Sequence, residues 1–183
     1  MVLTDDLTYE TVSTVLDSWE RCRQVKGFEE KVGTSALLKY VHPGRDPTDS
    51  VHSLSRISHL RLFEKEPQTK KVFGFAIDYN PSGSELGRMG ILIHAIRMIH
   101  MFDAALNMLG PDTDTLRDVL QQLGKRHIRY GVKPAFFPYM GKALLETLAE
   151  TLGDYWTPEM EAAWTVVYEQ LSGEIMRSIL NGL

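Results

Sequence analysis

The chain has 183 residues, 43% hydrophobic and 24% charged, which is enough apolar content for one sizeable core and predicts a single domain over residues 1–183. The formal net charge is −4 and the basic residues are scattered, so composition indicates neither nucleic acid nor an anionic membrane as a partner. The lone Cys22 excludes an internal disulfide framework, and the amino terminus lacks the basic and apolar regions of a signal peptide, so we expect a cytoplasmic protein.

Helical periodicity runs through the first part of the chain. The first predicted helix covers about 8–25 and ends before Gly27. Its apolar stripe consists of Val12, Val15, Leu16, Trp19 and Cys22. A second helix is predicted over 29–42, where Pro43 and Gly44 stop it, and the composition of residues 43–50 predicts a surface loop.

A long helix is predicted over 85–109, after the loop-forming run at 80–84. Its inward face consists of Ile91, His94, Ala95, Met98, Met101, Phe102 and Ala105. Residues 89–109 are the longest apolar stretch of the chain, but two histidines, an arginine and an aspartate make them too polar for a membrane span. His94 is therefore expected to point inward among apolar neighbours.

The next predicted helix begins at a cap formed by Thr113 or Thr115 and leads to His127. Helical spacing places one set of residues on its inward face: Leu116, Val119, Leu120, Leu123 and His127. Two inward histidines on different helices, His94 and His127, can hold a flat iron cofactor between them. This is the arrangement that a haem pocket needs.

Two further helices complete the chain. One covers 134–152 and the other follows a cap at Thr157, with Pro158 in its first turn. Their predicted core residues are Phe137, Met140, Leu144, Leu145, Leu148, Trp164, Val167, Tyr168, Leu171 and Ile175. Because no segment alternates as a strand does, the predicted class is all-α.

The carboxy-terminal third carries a family resemblance. Residues 123–134, Leu-Gly-Lys-Arg-His-Ile-Arg-Tyr-Gly-Val-Lys-Pro, resemble the globin stretch that bears the haem-ligating proximal histidine, and 157–168 resembles the start of the last globin helix. Upstream, Phe73 matches the phenylalanine that stacks on haem, and His94 falls at the distal histidine position. Over about 10–180 the chain is similar to globins of the three-over-three type, closest in pattern to neuroglobin- and cytoglobin-like members.

The resemblance implies a globin fold packed around one haem b, with His127 as the proximal iron ligand and His94 as the distal residue or second ligand. It also implies contacts of the cofactor with Phe73, Arg97, Met98, Val132 and Phe137. Without the resemblance, the pattern of each of these residues is equally compatible with ordinary packing or with a solvated helix charge. His127 could likewise be a histidine that satisfies carbonyl groups at a helix end. Because there is no Cys-x-x-Cys-His, covalent haem attachment is excluded.

One region departs from the globin pattern. Residues near 42–60 look inserted between the second helix and the short helix that Pro67 starts. The residue that this part of the chain contributes to the distal haem pocket depends on where the insertion lies. It is Leu37 if the insertion follows Leu37, or His59 if positions are counted back from Pro67.

The implied function is that of a gas-binding haem protein whose ligands are dioxygen, carbon monoxide or nitric oxide. Three uses fit one site: binding or sensing of oxygen, nitric oxide dioxygenation, and electron transfer with both histidines ligated. Dioxygenation requires an external reductase, because the chain has no flavin- or nicotinamide-binding fingerprint. The rival class is a globin-fold interaction module without haem.

Overall fold

The computed structural model describes residues 7–29, 85–110 and 112–182. They form five α-helices: α1 Tyr9–Arg23, α2 Glu85–Met108, α3 Thr113–Arg129, α4 Phe137–Leu152 and α5 Pro158–Asn181, with short 3-10 helices at Pro134–Phe136 and Gly153–Tyr155. Within these residues no strand occurs, and the all-α prediction is confirmed. The predicted helix over 29–42, the insertion near 42–60 and the positions Leu37, His59 and Phe73 lie outside the described residues, apart from residue 29.

Helix starts are fixed by side-chain caps. Thr8 accepts a hydrogen bond from the amide of Thr11 at 3.1 Å and Thr157 one from the amide of Met160 at 3.3 Å, which satisfies amides that lack a partner within the first turn. At α3 the prediction of a threonine cap is wrong, because the carboxylate of Asp112 accepts from the amide of Thr115 at 3.2 Å. Aspartate is among the best capping residues, and Thr113 already belongs to the helix.

Helix α5 lies at the centre of the described fold and packs against α1, α3 and α4. Its predicted core residues Trp164, Val167, Tyr168, Leu171 and Ile175 are all buried. The indole of fully buried Trp164 donates to Ser18 Oγ at 2.9 Å, and that hydroxyl donates to the carbonyl of Val15 at 2.9 Å. The chain of hydrogen bonds satisfies the polar atoms that α1 and α5 bury together.

Helices α3 and α5 pack so closely at Gly124 that only glycine fits at this position. A Cβ atom added at Gly124 would lie 2.6 Å from Ser178 Cβ and 2.7 Å from the carbonyl oxygen of Ile175. Ser178 Oγ in turn donates to the carbonyl of Gln121 at 2.7 Å. The two helices therefore approach backbone to backbone at this point.

This contact rotates α3 relative to the predicted inward face. Leu116 and Leu120 are fully buried and Gly124 is buried, but Val119, predicted to face inward, is 43% exposed. Residues 116, 120 and 124 are four apart and define the line along which α3 meets α5. Val119 lies to one side of that line, which explains the wrong assignment.

Helix α2 carries the other predicted histidine. Its residues Phe102 and Ala105 are buried as predicted, and Met98 and Met101 pack partly buried against the core. Asp103 Oδ1 accepts from Trp19 Nε1 at 3.0 Å and from Arg23 at 3.0 Å, which ties α2 to α1. Helix α2, which carries His94, is therefore linked to α1, and both α1 and α3, the helix of His127, pack against α5.

Candidate haem-binding site

His127 has one ring nitrogen committed to the backbone. Its Nδ1 lies 2.8 Å from the carbonyl oxygen of Leu123, one turn earlier in α3. Since a carbonyl oxygen can only accept, Nδ1 carries the proton and Nε2 keeps its lone pair. Burial lowers the pKa of His127, although the Leu123 hydrogen bond opposes the shift. The side chain is therefore a neutral imidazole with a fixed tautomer, the form that ligates a metal.

His94 is half-buried on α2, and its surroundings lower the pKa of its imidazole. Burial is the main cause that lowers its pKa to about 4, and the neighbouring imidazole of His127 and the guanidinium of Arg97 add to the effect. Helices α2 and α3 contact each other, and they carry the two histidines that lie 33 residues apart in the sequence. A positive charge on His127 is among the causes that lower the pKa of His94.

Other predicted site residues surround these imidazoles to different degrees. The ring of Phe137 lies 6.0 Å from that of His127, centroid to centroid, at an interplanar angle of 47°. The amide of Val132 donates to the carbonyl of His127 at 3.0 Å, which places this residue directly beside the end of α3. On α2, Met98 is half-buried against the core. Arg97 is exposed, and its positive charge contributes to lowering the pKa of His94.

Two further groups contribute to the site. Ligation by His127 through one ring nitrogen predicts that the other donates to a backbone carbonyl or hydroxyl, and the acceptor is the carbonyl of Leu123, one helical turn earlier. The other group is the hydroxyl of Tyr168, predicted only as a core residue, which donates to the carbonyl of Phe137 at 2.7 Å. These residues are 31 apart in the chain, and no sequence signal links them.

The chemistry of the donor set is compatible with haem. Two neutral imidazoles would supply two ligands to a metal, and a porphyrin would supply the remaining ones. Apolar and aromatic side chains accompany them, among them Met98 and Phe137. Among the described residues, no three His, Cys, Asp or Glu side chains are grouped so that they could hold a metal ion.

Comparison with known proteins identifies the family. The model of the family described as Globin matches residues 59–175. Neuroglobin from Tetraodon nigroviridis is 31% identical over 117 residues, which cover 64% of this chain and 73% of that protein. Neuroglobin-2 from Oncorhynchus mykiss is 34% identical over 108 residues, 59% of this chain and 67% of that one. An anaerobic nitrite reductase from Gossypium hirsutum is 33% identical over 118 residues, 63% and 71% of the two chains.

A solved structure agrees with the fold. The crystal structure of a hexacoordinated haem protein from an anhydrobiotic tardigrade, at pH 4, superposes with a TM-score of 0.64 and covers 96% of both chains at 21% identity. This likeness shows the fold, and the family match covers more than half of the chain. The protein belongs to the globin family, and the family implies a haem cofactor.

The family match begins at residue 59, near the end of the segment at 42–60 that departs from the globin pattern. Helix α1 precedes that match, yet its Ser18 and Trp19 contact the core of the described fold. None of the described helices is both long enough and apolar enough to cross a membrane.

Proposed function

We propose that the protein is a haem b globin that binds dioxygen reversibly, with the cofactor held non-covalently in a single domain over residues 1–183. His127 serves as the proximal iron ligand through Nε2, and His94 serves the opposite, gas-binding side. The observation that carries the proposal is the pair of neutral imidazoles on the contacting helices α2 and α3, one of them with its tautomer fixed by Leu123.

His127 and His94 would hold haem, which when bound would supply an iron that binds a diatomic gas. The chain supplies the surroundings of that iron. His94, neutral at pH 7, can donate one ring N–H to dioxygen or present its lone pair to the metal when no gas is present. Phe137 and Val132 adjoin the His127 end of the site, Met98 adds apolar contact, and the exposed Arg97 provides a positive charge for a haem propionate. Phe73, which lies outside the described residues, is proposed as a haem contact from the family resemblance alone.

A second candidate function is redox chemistry on nitrogen oxides, either nitric oxide dioxygenation or nitrite reduction. It is supported by the relative from Gossypium hirsutum, which is named an anaerobic nitrite reductase. This use consumes electrons, so an external reductase is part of the proposal. Carbon monoxide and nitric oxide are expected as further ligands of the same site.

The test of the proposal is the absorption spectrum of the purified protein in the ferrous state, with and without carbon monoxide. We expect haem bands in the wild type, and loss of most haem and an altered carbon monoxide spectrum in His127→Ala. His100→Ala is the matched control, because His100 lies on α2 with a side chain that is 60% exposed. Full haem content and an unchanged spectrum in His127→Ala would overturn the ligand assignment.

A further inference from the structure

The carboxy-terminal end of α3 carries a cluster of exposed positive charge. Lys125, Arg126 and Arg129 are exposed on its last turns, and Lys133 is exposed in the segment that follows. None of the four forms an ion pair with a carboxylate of the described residues. We refer to these four side chains as the basic face.

The basic face contrasts with the charge of the whole chain. The net charge is −4, yet no aspartate or glutamate occurs between residues 119 and 145. Compensation of the helix dipole accounts for cations in the last turn of α3, but it does not account for Lys133, which lies beyond the helix. A positive pole on a negatively charged molecule orients an approaching acidic partner and raises its rate of association.

Two residues of the basic face, Lys125 and Arg129, lie behind the proposed proximal ligand. At 100° per residue, Lys125 and Arg129 are each about 200° from His127, so they project from the opposite side of the same helix. An α-helix with its side chains is about 10 Å across, which places a partner on this face roughly one helix width from the imidazole. Tyr130, 43% exposed, adds an aromatic contact of the kind that anchors protein interfaces.

We propose that the basic face docks an acidic electron-donor protein, which reduces the cofactor from the His127 side. This inference rests on the proposed function. The donor is a flavoprotein: its reduced flavin gives up one electron, which would reduce ferric haem to ferrous, and no bond forms or breaks. An acidic protein fits better than a membrane or a nucleic acid, because four cations at and just beyond one helix end match a small acidic patch, whereas an extended polyanion is also repelled by the negatively charged remainder.

The test uses the haem-loaded protein and a flavodoxin of net negative charge as the probe. Binding is measured by calorimetry at low and high ionic strength, and one-electron reduction by stopped-flow absorbance. Lys125→Glu is expected to weaken binding and slow reduction at least fivefold at low salt, an effect that shrinks as salt is added. Lys26→Glu is the matched control: it makes the same change in net charge at an exposed position on the α1 side, and should have less than a twofold effect.

Arg129→Glu repeats the test independently of any folding defect in the first variant. Equal effects of Lys125→Glu and Lys26→Glu, or no flavodoxin binding by a protein with an intact haem spectrum, would overturn the docking surface. Binding to phosphatidylserine vesicles that depends on Lys125, without flavodoxin binding, would assign the face to a membrane surface instead. The absorption spectrum is recorded before any partner is added, and absence of haem bands in it would refute the proposed function.

Discussion

At the scale of single residues, the site depends on keeping two imidazoles neutral. Burial lowers the pKa of both His94 and His127, and each lies on a helix whose inward face is otherwise apolar. The carbonyl of Leu123 then selects which nitrogen of His127 remains available. Protonation state and tautomer are therefore set by local surroundings.

The first prediction concerns the hydrogen bond that we assign to His94. A hydrogen bond to dioxygen that carries partial negative charge is worth about 1.5–3 kcal/mol, so His94→Leu should speed dioxygen release roughly tenfold or more. Stopped-flow replacement of dioxygen by carbon monoxide measures the rate, with His100→Leu as the control on the same helix. An unchanged release rate together with an unchanged gas-free spectrum would remove His94 from the site.

The second prediction is a loss of stability in acid in the haem-free protein. The pKa of His94 falls from an ordinary 6.5 in the unfolded chain to about 4 in the folded one, so between these values the unfolded state binds more protons and stability declines as pH falls. Relative to neutral pH, the shift of the His94 pKa lowers the free energy of unfolding by about 3 kcal/mol below pH 4. Urea unfolding of wild type and His94→Leu at pH 7 and pH 4.5 measures it, and the wild type should lose more stability between the two. Equal pH dependence in both proteins would contradict the assignment.

At the scale of helices, the position of His127 depends on how α3 and α4 rest on α5. Gly124 permits the close approach of α3, and Tyr168 connects α5 to the first turn of α4 through the carbonyl of Phe137. The Tyr168 ring also stacks on Phe102 of α2, with centroids 6.3 Å apart. One buried tyrosine thus contacts the helices on both sides of the site.

The third prediction is that Gly124→Ala separates α3 from α5. The new methyl group would meet the backbone oxygen of Ile175 at 2.7 Å, which cannot move aside as a flexible side chain can, so we expect a destabilisation of about 1–3 kcal/mol and weaker haem retention. Gly173→Ala is the control, since nothing lies within 4 Å of its added Cβ and alanine favours the helix by up to about 1 kcal/mol. Thermal unfolding and haem transfer to a competing apoprotein measure both. A Gly124→Ala variant as stable as Gly173→Ala would show that the approach is not tight.

The fourth prediction isolates the hydroxyl of Tyr168. Tyr168→Phe keeps the ring but leaves the carbonyl of Phe137 without this donor, which should cost about 1–2 kcal/mol and loosen the Phe137 ring beside His127. We expect a lower melting temperature and a shifted iron–histidine stretching frequency in the resonance Raman spectrum. Tyr155→Phe is the control, with a residue that is 64% exposed. An unshifted frequency would limit Tyr168 to a role in packing.

At the scale of the whole molecule, the core extends beyond the segment that matches the family model. Val15, Trp19 and Cys22 of α1 are buried, and Trp19 lies 5.6 Å from Trp164, ring to ring. The family match begins at residue 59. The amino-terminal helix is therefore a structural part of the domain.

The fifth prediction is that a chain of residues 59–183 does not fold cooperatively. Removing α1 exposes Trp164 and deletes the partners of its indole, and loss of a single large buried side chain already costs about 3–5 kcal/mol against a typical total of 5–15 kcal/mol. Circular dichroism on heating should show a broad transition and weak haem binding. Deletion of residues 1–6 serves as the control, because α1 begins at Tyr9. A sharp transition in the shortened chain would contradict the argument.

Sequence patterns were sufficient to predict the helical class, the order of the five described helices, most helix ends and the inward direction of His94 and His127. These features depend on local spacing, caps and glycines, which the chain carries along its length. Three features emerged from the folded structure: the rotation of α3 that exposes Val119, the hydrogen bond from Tyr168 to Phe137, and the contacts of Asp103 with Trp19 and Arg23. Each of these joins residues or helices far apart in the chain, and periodicity within one helix carries no information about which partner lies opposite.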